Sequence, residues 1–397
     1  MGAIATDATL TSFHPGSART KPAERIASLD IARGIIMILM AIDHVRVYAG
    51  VPAGGPSPGV FFTRWVTNFS APGFAFLAGT GAFLLGQKLG DKRALSRYLV
   101  ERGIILIALE LTFLRLAWTF NADVAHYNLA GVIWMLGWCM ILLAGLIWLP
   151  VVAIAVVGLA IIVGQPVFTP IGNALPPAIG DFLYLGGVVR FGADGPPFGV
   201  LYVIVPWIGV MAVGYAFGVI MNFEPARRRK FCLSIGLGAT ALFVVLAAIG
   251  LATQPARPGS PPAVLRMLNQ RKYPASPMFL LMTLGPMLAF LPYAERMRGW
   301  VADALTTFGR VPLFFYLLHI PLIHASALVV SLIREGRIDP WLFGNHPMAP
   351  PPVPDGYRWS LALLYLVFAI VIALLYGPCK WYADLKARRS ASVLRFI

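Results

Sequence analysis

The sequence contains few charged residues. Asp, Glu, Lys and Arg make up 12% of the 397 residues, and hydrophobic residues make up 58%. An average soluble domain has about 25% charged residues, so this composition excludes an ordinary soluble protein. No long polar break interrupts the apolar runs between positions 31 and 379. The composition therefore predicts an integral membrane protein built as one bundle.

Cysteine is nearly absent as well. Cys139, Cys232 and Cys379 stand alone in or beside apolar runs, without a C-x-x-C pair. This spacing excludes a disulfide framework, and no metal is expected. The first 25 residues are polar and no A-x-A site follows the first apolar run, so no cleaved signal peptide is expected.

About ten stretches are long enough to cross the membrane, which takes about 20 apolar residues in a helix. The apolar run 129–164 is too long for one crossing, so we expect two spans that meet at Pro150. The predicted fold class is all-α, with about ten transmembrane helices in one bundle. The stretches are 31–49, 70–87, 103–120, 129–148, 151–167, 199–221, 231–252, 277–293, 312–333 and 359–379.

Acidic residues are scarce beside basic ones, 17 against 32, and the net charge is +15. The basic residues form short clusters between apolar runs, so the lipid bilayer is the expected partner and nucleic acid is not. With the N-terminus inside, twenty of them lie in cytoplasmic segments and nine on the other side. Both termini are therefore predicted to be cytoplasmic, with residues 1–24 and 381–397 as tails.

The first apolar stretch carries ionisable residues, which usually face protein or a water-filled cavity inside a membrane. Asp30, Arg33 and His44 follow one another at helical spacing on one broad face. Asp30 can pair with Arg33, and Asp43 with Arg46, at a spacing of three residues. His44 and Asp43 are candidate catalytic residues, and Arg46 is a candidate substrate ligand. Structural pairing is the alternative for Asp43 and Arg46.

A second polar cluster lies in GRVPLFFYLLHIPLIH, residues 309–324. His319 is a second candidate base, and Tyr316 shares its face at a spacing of three residues. His324 is predicted to lie nearly level with His44 if the two helices are neighbours. Tyr316 and His324 are candidate substrate ligands. Metal ligation is disfavoured because no carboxylate or cysteine accompanies these histidines at ligand spacing.

Three further polar residues lie in or beside apolar stretches. Glu110 and Arg115 are five residues apart, so each is expected to meet a different helix in a structural role. Asn68 precedes a stretch rich in small residues that leaves room for a close helix or a thin ligand, and it is a candidate substrate ligand.

Four segments together resemble a known family. They resemble the bacterial group related to the catalytic domain of heparan-α-glucosaminide N-acetyltransferase, in a transmembrane acyltransferase superfamily. The resemblance assigns residues 25–250 to the catalytic-like domain and 251–380 to further helices of the same bundle. The segments are RIASLDIARGIIMILMAIDHVR, FFTRWVTNFSAPGFAFLAGTGAFL, YLVERGIILIALELTFLR and GRVPLFFYLLHIPLIH.

The resemblance implies acetyl transfer across a membrane. Acetyl-CoA would be used from the cytoplasm, and the acceptor would be an amine or hydroxyl of an amino sugar or envelope glycan on the far side. A membrane-embedded histidine would be central, acting as general base or acyl carrier, and the bacterial cytoplasmic (inner) membrane is the expected location. The candidate ligands for the CoA phosphates are Arg33, Arg97, Arg102 and Arg310.

A transporter or channel is the alternative, because buried Asp, His and Arg also mark solute and proton pathways. Such a protein often shows internal repeats or matched broken spans, and the sequence shows neither clearly. The sequence does not fix the oligomeric state, and a homodimer is left open.

Overall fold

A computed structural model describes residues 26–55, 57–125, 127–190, 195–254, 256, 258–348 and 351–388. The predicted N-terminal tail, 1–24, lies outside the described residues. So does the predicted C-terminal tail from residue 389 onward.

The described chain is mostly helical. Its α-helices are α1 Ala27–Tyr48, α2 Pro58–Trp65, α3 Ser70–Leu89, α4 Lys92–Leu109, α5 Arg115–Thr119, α6 Val132–Leu146, α7 Val151–Val163, α8 Gln165–Ala174, α9 Pro177–Gly180, α10 Val205–Met221, α11 Pro225–Thr253, α12 Ala263–Leu268, α13 Pro277–Ala294, α14 Trp300–Arg310, α15 Pro312–Glu335 and α16 Leu361–Arg388. Short 3₁₀ segments lie at Val66–Phe69 and Pro340–Phe343, and π-helical turns lie at Glu110–Leu114 and Asp181–Leu185.

Five helical segments among the described residues are long and apolar enough to cross a membrane, which fits an integral membrane protein. A sixth is added if α7 and α8, bent by 74° at their junction, form one broken span. The apolar helices α6 and α10 are shorter. The number of about ten spans and the side of each terminus stay predictions. The five segments are Pro58–Leu89, Pro225–Thr253, Pro277–Ala294, Pro312–Glu335 and Leu361–Arg388.

The helix boundaries divide one apolar run at the expected residue and correct another prediction; that each half of the first run crosses the membrane stays a prediction. The run 129–164 contains two helices, α6 and α7, and Pro150 is the N-cap residue of the second. The stretch 103–120 is not one regular helix. It contains the end of α4, the π-helical turn Glu110–Leu114 and the short α5. The sequence pattern does not distinguish a π turn, which has the same apolar composition, from an α-helix.

A small sheet corrects the purely all-α prediction. β1 (Asn128–Ala130), β2 (Gly187–Arg190) and β3 (Pro197–Val200) form three strands in the order β1-β3-β2. β3 pairs in parallel with β1, with Leu129 opposite Gly199, and antiparallel with β2. β2 falls in a connection, β1 and β3 overlap the starts of the stretches 129–148 and 199–221, and all three strands are too short to show an alternating pattern.

Helix α1 lies at the centre of the bundle, which explains how it carries charges. It packs against α3, α13, α14, α15 and α16, and most of its residues are buried. The approach of α14 is closest, because a Cβ on Gly34 would collide with the Leu305 carbonyl, and one on Gly309 with the Asp30 carbonyl. The ionisable residues of α1 therefore face other protein elements rather than lipid.

Candidate active site

Two histidines from distant parts of the sequence meet inside the bundle. Nδ1 of His44, on α1, lies 2.6 Å from Nε2 of His319, on α15. Their rings are stacked, with centroids 4.8 Å apart. The indole of Trp118 contacts the His44 ring edge-on at 4.9 Å between centroids. The structure therefore brings together the two residues that the sequence offers as alternative bases.

Hydrogen bonding sets the proton arrangement of the neutral pair. Nδ1 of His319 lies 2.7 Å from the carbonyl oxygen of Tyr316 and 3.2 Å from that of Phe315. A carbonyl only accepts, so this Nδ1 carries the proton and Nε2 of His319 has a lone pair. His44 must then donate from its own Nδ1. Nε2 of His44 is left unprotonated and able to accept a proton.

Asp43 binds cations rather than acting as the partner of the His44 ring. Its Oδ1 accepts a hydrogen bond from Nε of Arg46 at 2.8 Å and lies 3.7 Å from Nε of Arg64. The Asp43–Arg46 contact is the i,i+3 pair that the spacing allows. Arg64 lies in α2 and is one of the nine basic residues predicted on the far side of the membrane.

A small cavity of about 150 Å³ lies beside His44 at the C-terminal end of α1. Asp43, Arg46 and Arg64 line one part of its wall, and Lys272 and Tyr273, from the loop before α13, line another. Tyr202, Trp118, Glu110 and Leu129 also contribute to its lining. The lining of this cavity thus combines cationic and aromatic side chains.

A second, larger cavity of about 1130 Å³ lies at the opposite end of α1. It is bordered by the start of α1, the ends of α3, α10 and α16, and the start of α15. Phe74, Val132 and Tyr316 line both cavities. The two spaces therefore adjoin at these three side chains, next to the histidine pair.

Three of the four predicted CoA ligands line the large cavity: Arg33, Arg102 and Arg310. Arg33 contacts Asp30 at 3.4 Å, and its Nη2 donates to the Leu77 carbonyl at 3.2 Å. The fourth, Arg97, does not line the cavity. Its side chain is 83% exposed and bonds to Glu101 at 2.6 Å, because it projects from the outer face of α4.

Glu110 and Arg115 hold backbone groups. Oε2 of Glu110 accepts from the amides of Ile133 and Trp134, at 3.1 and 3.2 Å, and so caps the N-terminus of α6. Arg115 donates to the Tyr127 carbonyl at 2.7 Å and holds the loop after α5. The geometry fits the structural role expected for both, although their partners are backbone atoms rather than charges on other helices.

Two predicted substrate ligands do not line either cavity. Asn68 accepts a hydrogen bond from Arg64 at 3.0 Å and so supports that cation. His324 is fully buried, with its ring stacked between Tyr48 and Phe120 and its Nδ1 3.2 Å from the Ala117 carbonyl. His324 lies one helical turn beyond His319, where aromatic rings fill the space.

Sequence reasoning missed Arg64, Lys272, Tyr202 and Tyr273 as parts of the site. Each lies in or next to a loop in the sequence, where a polar side chain needs no explanation. The doublet Lys272-Tyr273, between apolar stretches, was a weak signal. Only the folded chain places these loops over the end of α1.

The fold and the site define a helical membrane protein in which a histidine pair stands at the junction of two cavities. The family model for the catalytic region of heparan-alpha-glucosaminide N-acetyltransferase matches residues 25–255. The match covers more than half of the chain, so the chain belongs to this family of membrane acetyltransferases, and the family resemblance of the three segments within residues 25–255 is confirmed. A comparison with curated proteins gives no match.

Proposed function

We propose that this chain transfers an acetyl group from acetyl-CoA to an amine or hydroxyl of a sugar, with His44 as general base. The position of His44 carries the proposal. His44 lines the small cavity, bonds to His319, and lies next to Tyr316, where the two cavities adjoin. Acyl transfer requires two substrates to meet at a base, and this arrangement supports that requirement.

The large cavity is the proposed donor site. Its volume of about 1130 Å³ suits a large cofactor-like molecule. Arg33, Arg102 and Arg310 supply guanidinium groups, which bind phosphates well. Arg33 lies eleven residues before His44, about 16 Å along α1. Phosphates bound near these arginines would leave the acyl end to extend toward Tyr316.

The proposed chemical step uses the unprotonated Nε2 of His44. This atom takes a proton from the acceptor nitrogen or oxygen as that atom attacks the thioester carbonyl carbon. A bond forms between the acceptor and the acetyl carbon, the carbon–sulfur bond breaks, and the leaving thiolate receives the proton from His44. Removal of such a base lowers rates by about 10²- to 10⁴-fold.

His319 acts as a positioning residue in this proposal. It is fully buried and does not line either cavity, so it reaches the substrates only through His44. Its Nε2 accepts the Nδ1 proton of His44 and fixes the tautomer of that ring. A second histidine, rather than the neighbouring candidate Asp43, therefore orients the His44 ring.

The small cavity is the proposed acceptor site. The predicted orientation puts this end of α1 on the far side of the membrane from the cytoplasm. The acceptor would then be an amino sugar or envelope glycan, and the protein would lie in the cytoplasmic membrane of a bacterium. Acetyl-CoA would enter from the cytoplasmic end.

The experiment is an acetyl-transfer assay on purified protein in detergent, with labelled acetyl-CoA and a panel of amino sugars and envelope glycans. We expect acetylated product, and a loss of about 100-fold or more in His44→Ala. His346→Gln is the matched control, because His346 does not line either cavity and should retain activity. Full activity in both His44→Ala and His319→Ala would refute the proposal.

Transport is tested with the same preparation. If the chain is an acetyltransferase, vesicles that contain it should not transport solute in the absence of acetyl-CoA. Flux without acetyl-CoA, together with no product in the transfer assay, would favour the transporter alternative.

A further inference from the structure

The small cavity contains more positive than negative side-chain charge. Arg46, Arg64 and Lys272 line it together, while Asp43 is the carboxylate that two of these cations share. The side chains of Arg46 and Arg64 are only 10% and 15% exposed. Unbalanced charge is costly in such a place, because water cannot solvate it fully.

Glu110 does not neutralise this excess locally. Its Oε2 is bound by two backbone amides at the N-terminus of α6, which has partial positive charge of its own. Glu110 contributes to the wall shared with Gly131 and Val132. Among the described residues, Asp43 remains the carboxylate within 4 Å of Arg46 and Arg64.

Lys272 differs from the other cations at this end of the bundle. Arg115, Arg334 and Arg358 donate to backbone carbonyls, at 2.7, 2.8 and 3.2 Å. Lys272 is 8% exposed, and its Nζ lies 5.1 Å from the ring centroid of Tyr273 and 5.7 Å from that of Tyr202, with the Tyr273 side chain as a hydrogen-bond partner. No carboxylate forms an ion pair with it among the described residues.

We propose that the small cavity binds an oxyanion of the acceptor, a phosphate or a carboxylate, between Lys272 and the Arg46–Arg64 pair. This inference rests on the proposed function and narrows it: the acceptor is an anionic sugar derivative whose reacting amine or hydroxyl lies near its charged group. An oxyanion supplies the charge that the cavity lacks, and two guanidinium groups with an ammonium are the donors such a group prefers.

The size and shape of the cavity favour a single charged group over a polymer. A volume of about 150 Å³ holds one oxyanion and the adjoining part of a sugar. Tyr202 and Tyr273 join through their hydroxyl groups at 3.3 Å, and both line the cavity. Aromatic walls commonly bind the apolar faces of sugar rings, while the cations would fix the charged substituent.

The experiment compares three amino sugars that share one reactive amine: glucosamine, glucosamine 6-phosphate and muramic acid. Binding to the full-length protein in detergent is measured by calorimetry without acetyl-CoA, and acetyl transfer is measured separately. We expect the phosphate or the carboxylate derivative to bind at least about 10-fold more tightly than glucosamine. Tighter binding of glucosamine 6-phosphate would identify the oxyanion as a phosphate, and tighter binding of muramic acid would identify it as a carboxylate. Equal affinity for all three would overturn the inference.

Variants of Lys272 assign the effect to this side chain. Lys272→Gln should lower affinity for the preferred anionic sugar by about 10- to 100-fold, and Lys272→Arg should retain most of it. Arg337→Gln is the control, since Arg337 is an exposed cation at the same end. If Lys272→Gln instead slows acetyl-CoA hydrolysis equally with and without acceptor, Lys272 stabilises the transition state and the inference is wrong.

The two proposals fail differently. Tight anion binding without acetyl transfer to any sugar would refute the proposed function and leave the anion site standing. Acetyl transfer with no preference for charged sugars would refute the anion site alone.

Discussion

At the scale of single residues, the histidine pair makes a prediction that separates a base from the residue that orients it. His319→Ala should lower kcat and leave KM for acetyl-CoA and acceptor nearly unchanged, because His319 does not line either cavity. His319→Gln should recover part of the rate, since its amide oxygen can accept the Nδ1 proton of His44. Steady-state kinetics across pH provide the measurement.

A purely structural role for His319 would give another result. Both variants would then lose folded protein and activity in parallel, with an unchanged shape of the pH profile. Recovery by glutamine, and a profile that changes shape in His319→Ala, are expected only if the ring acts through His44.

The loop residue Lys272 gives a prediction about pH. Burial lowers the pKa of its ammonium group below the usual range of a lysine, and the positive charge of Arg64 adds to this effect, while Tyr273 and Asp43 oppose it. Lysine is charged only below its pKa, so anion binding should weaken as pH rises, and at a lower pH than for an exposed lysine. The dissociation constant of inorganic sulfate, measured from pH 7 to pH 10, tests this.

Lys272→Arg is the control for that titration, because arginine stays charged throughout the range. Its sulfate affinity should be nearly constant with pH. Equal pH dependence in both proteins would assign the titration to another group facing the cavity, such as the phenols of Tyr202 and Tyr273.

At the scale of secondary-structure elements, the contact between α1 and α14 determines whether the bundle closes around the large cavity. Gly309→Ala places a methyl group against the Asp30 carbonyl and must push α14 away. Overpacking of this kind costs about 1–3 kcal/mol, so the melting temperature in detergent should fall. KM for acetyl-CoA should rise, because Arg310 follows directly.

Gly238→Ala is the matched control for Gly309→Ala. Gly238 lies within α11, and a Cβ there meets no atom within 4 Å. Alanine favours the helix over glycine by about 1 kcal/mol, so this variant should melt at the same or a slightly higher temperature. Equal destabilisation of both variants would contradict the close contact.

The elements also show which parts of the site the sequence could predict. The spacing of Asp43 and Arg46 indicated their pair, and the sequence named both members of the histidine pair, because each lies in an apolar helix where an ionisable group is unusual. For Glu110 the sequence predicted a structural role but not its partner. The hydrogen bonds of Glu110 to the start of α6 could not be predicted, because Glu110 begins a π-helical turn, which has no distinct sequence pattern.

At the scale of the whole molecule, the apolar runs predicted most of the helices and the sequence motifs indicated the family, but neither showed how the loops meet. Arg64 and Lys272 are separated by more than two hundred positions and reach one cavity only because α1, α2 and the loop before α13 converge. Such contacts join residues far apart in the chain, and no local pattern in a single sequence predicts them. Loop residues of the site therefore emerge only from the fold.

The described ends of the chain lie at the same end of the bundle, and the side of the membrane that they face stays a prediction. The start of α1, the start of α15 and the end of α16 all border the large cavity. With both termini in the cytoplasm, cysteines introduced at Ser57 or Glu335 should react with a membrane-impermeant maleimide in spheroplasts. Cysteines at Lys92 or Arg298 should react only after permeabilisation. All four positions are exposed.

The three natural cysteines should give little background in that labelling, because each is buried. Labelling with the sides reversed would place the proposed acceptor cavity in the cytoplasm and the arginines of the large cavity outside, away from acetyl-CoA. Labelling of Ser57 and Lys92 from the same side would mean that Pro58–Leu89 does not cross the membrane. Acetyl transfer across a membrane requires the large cavity to face the cytoplasm and the small cavity to face the other side. Either result would contradict this arrangement.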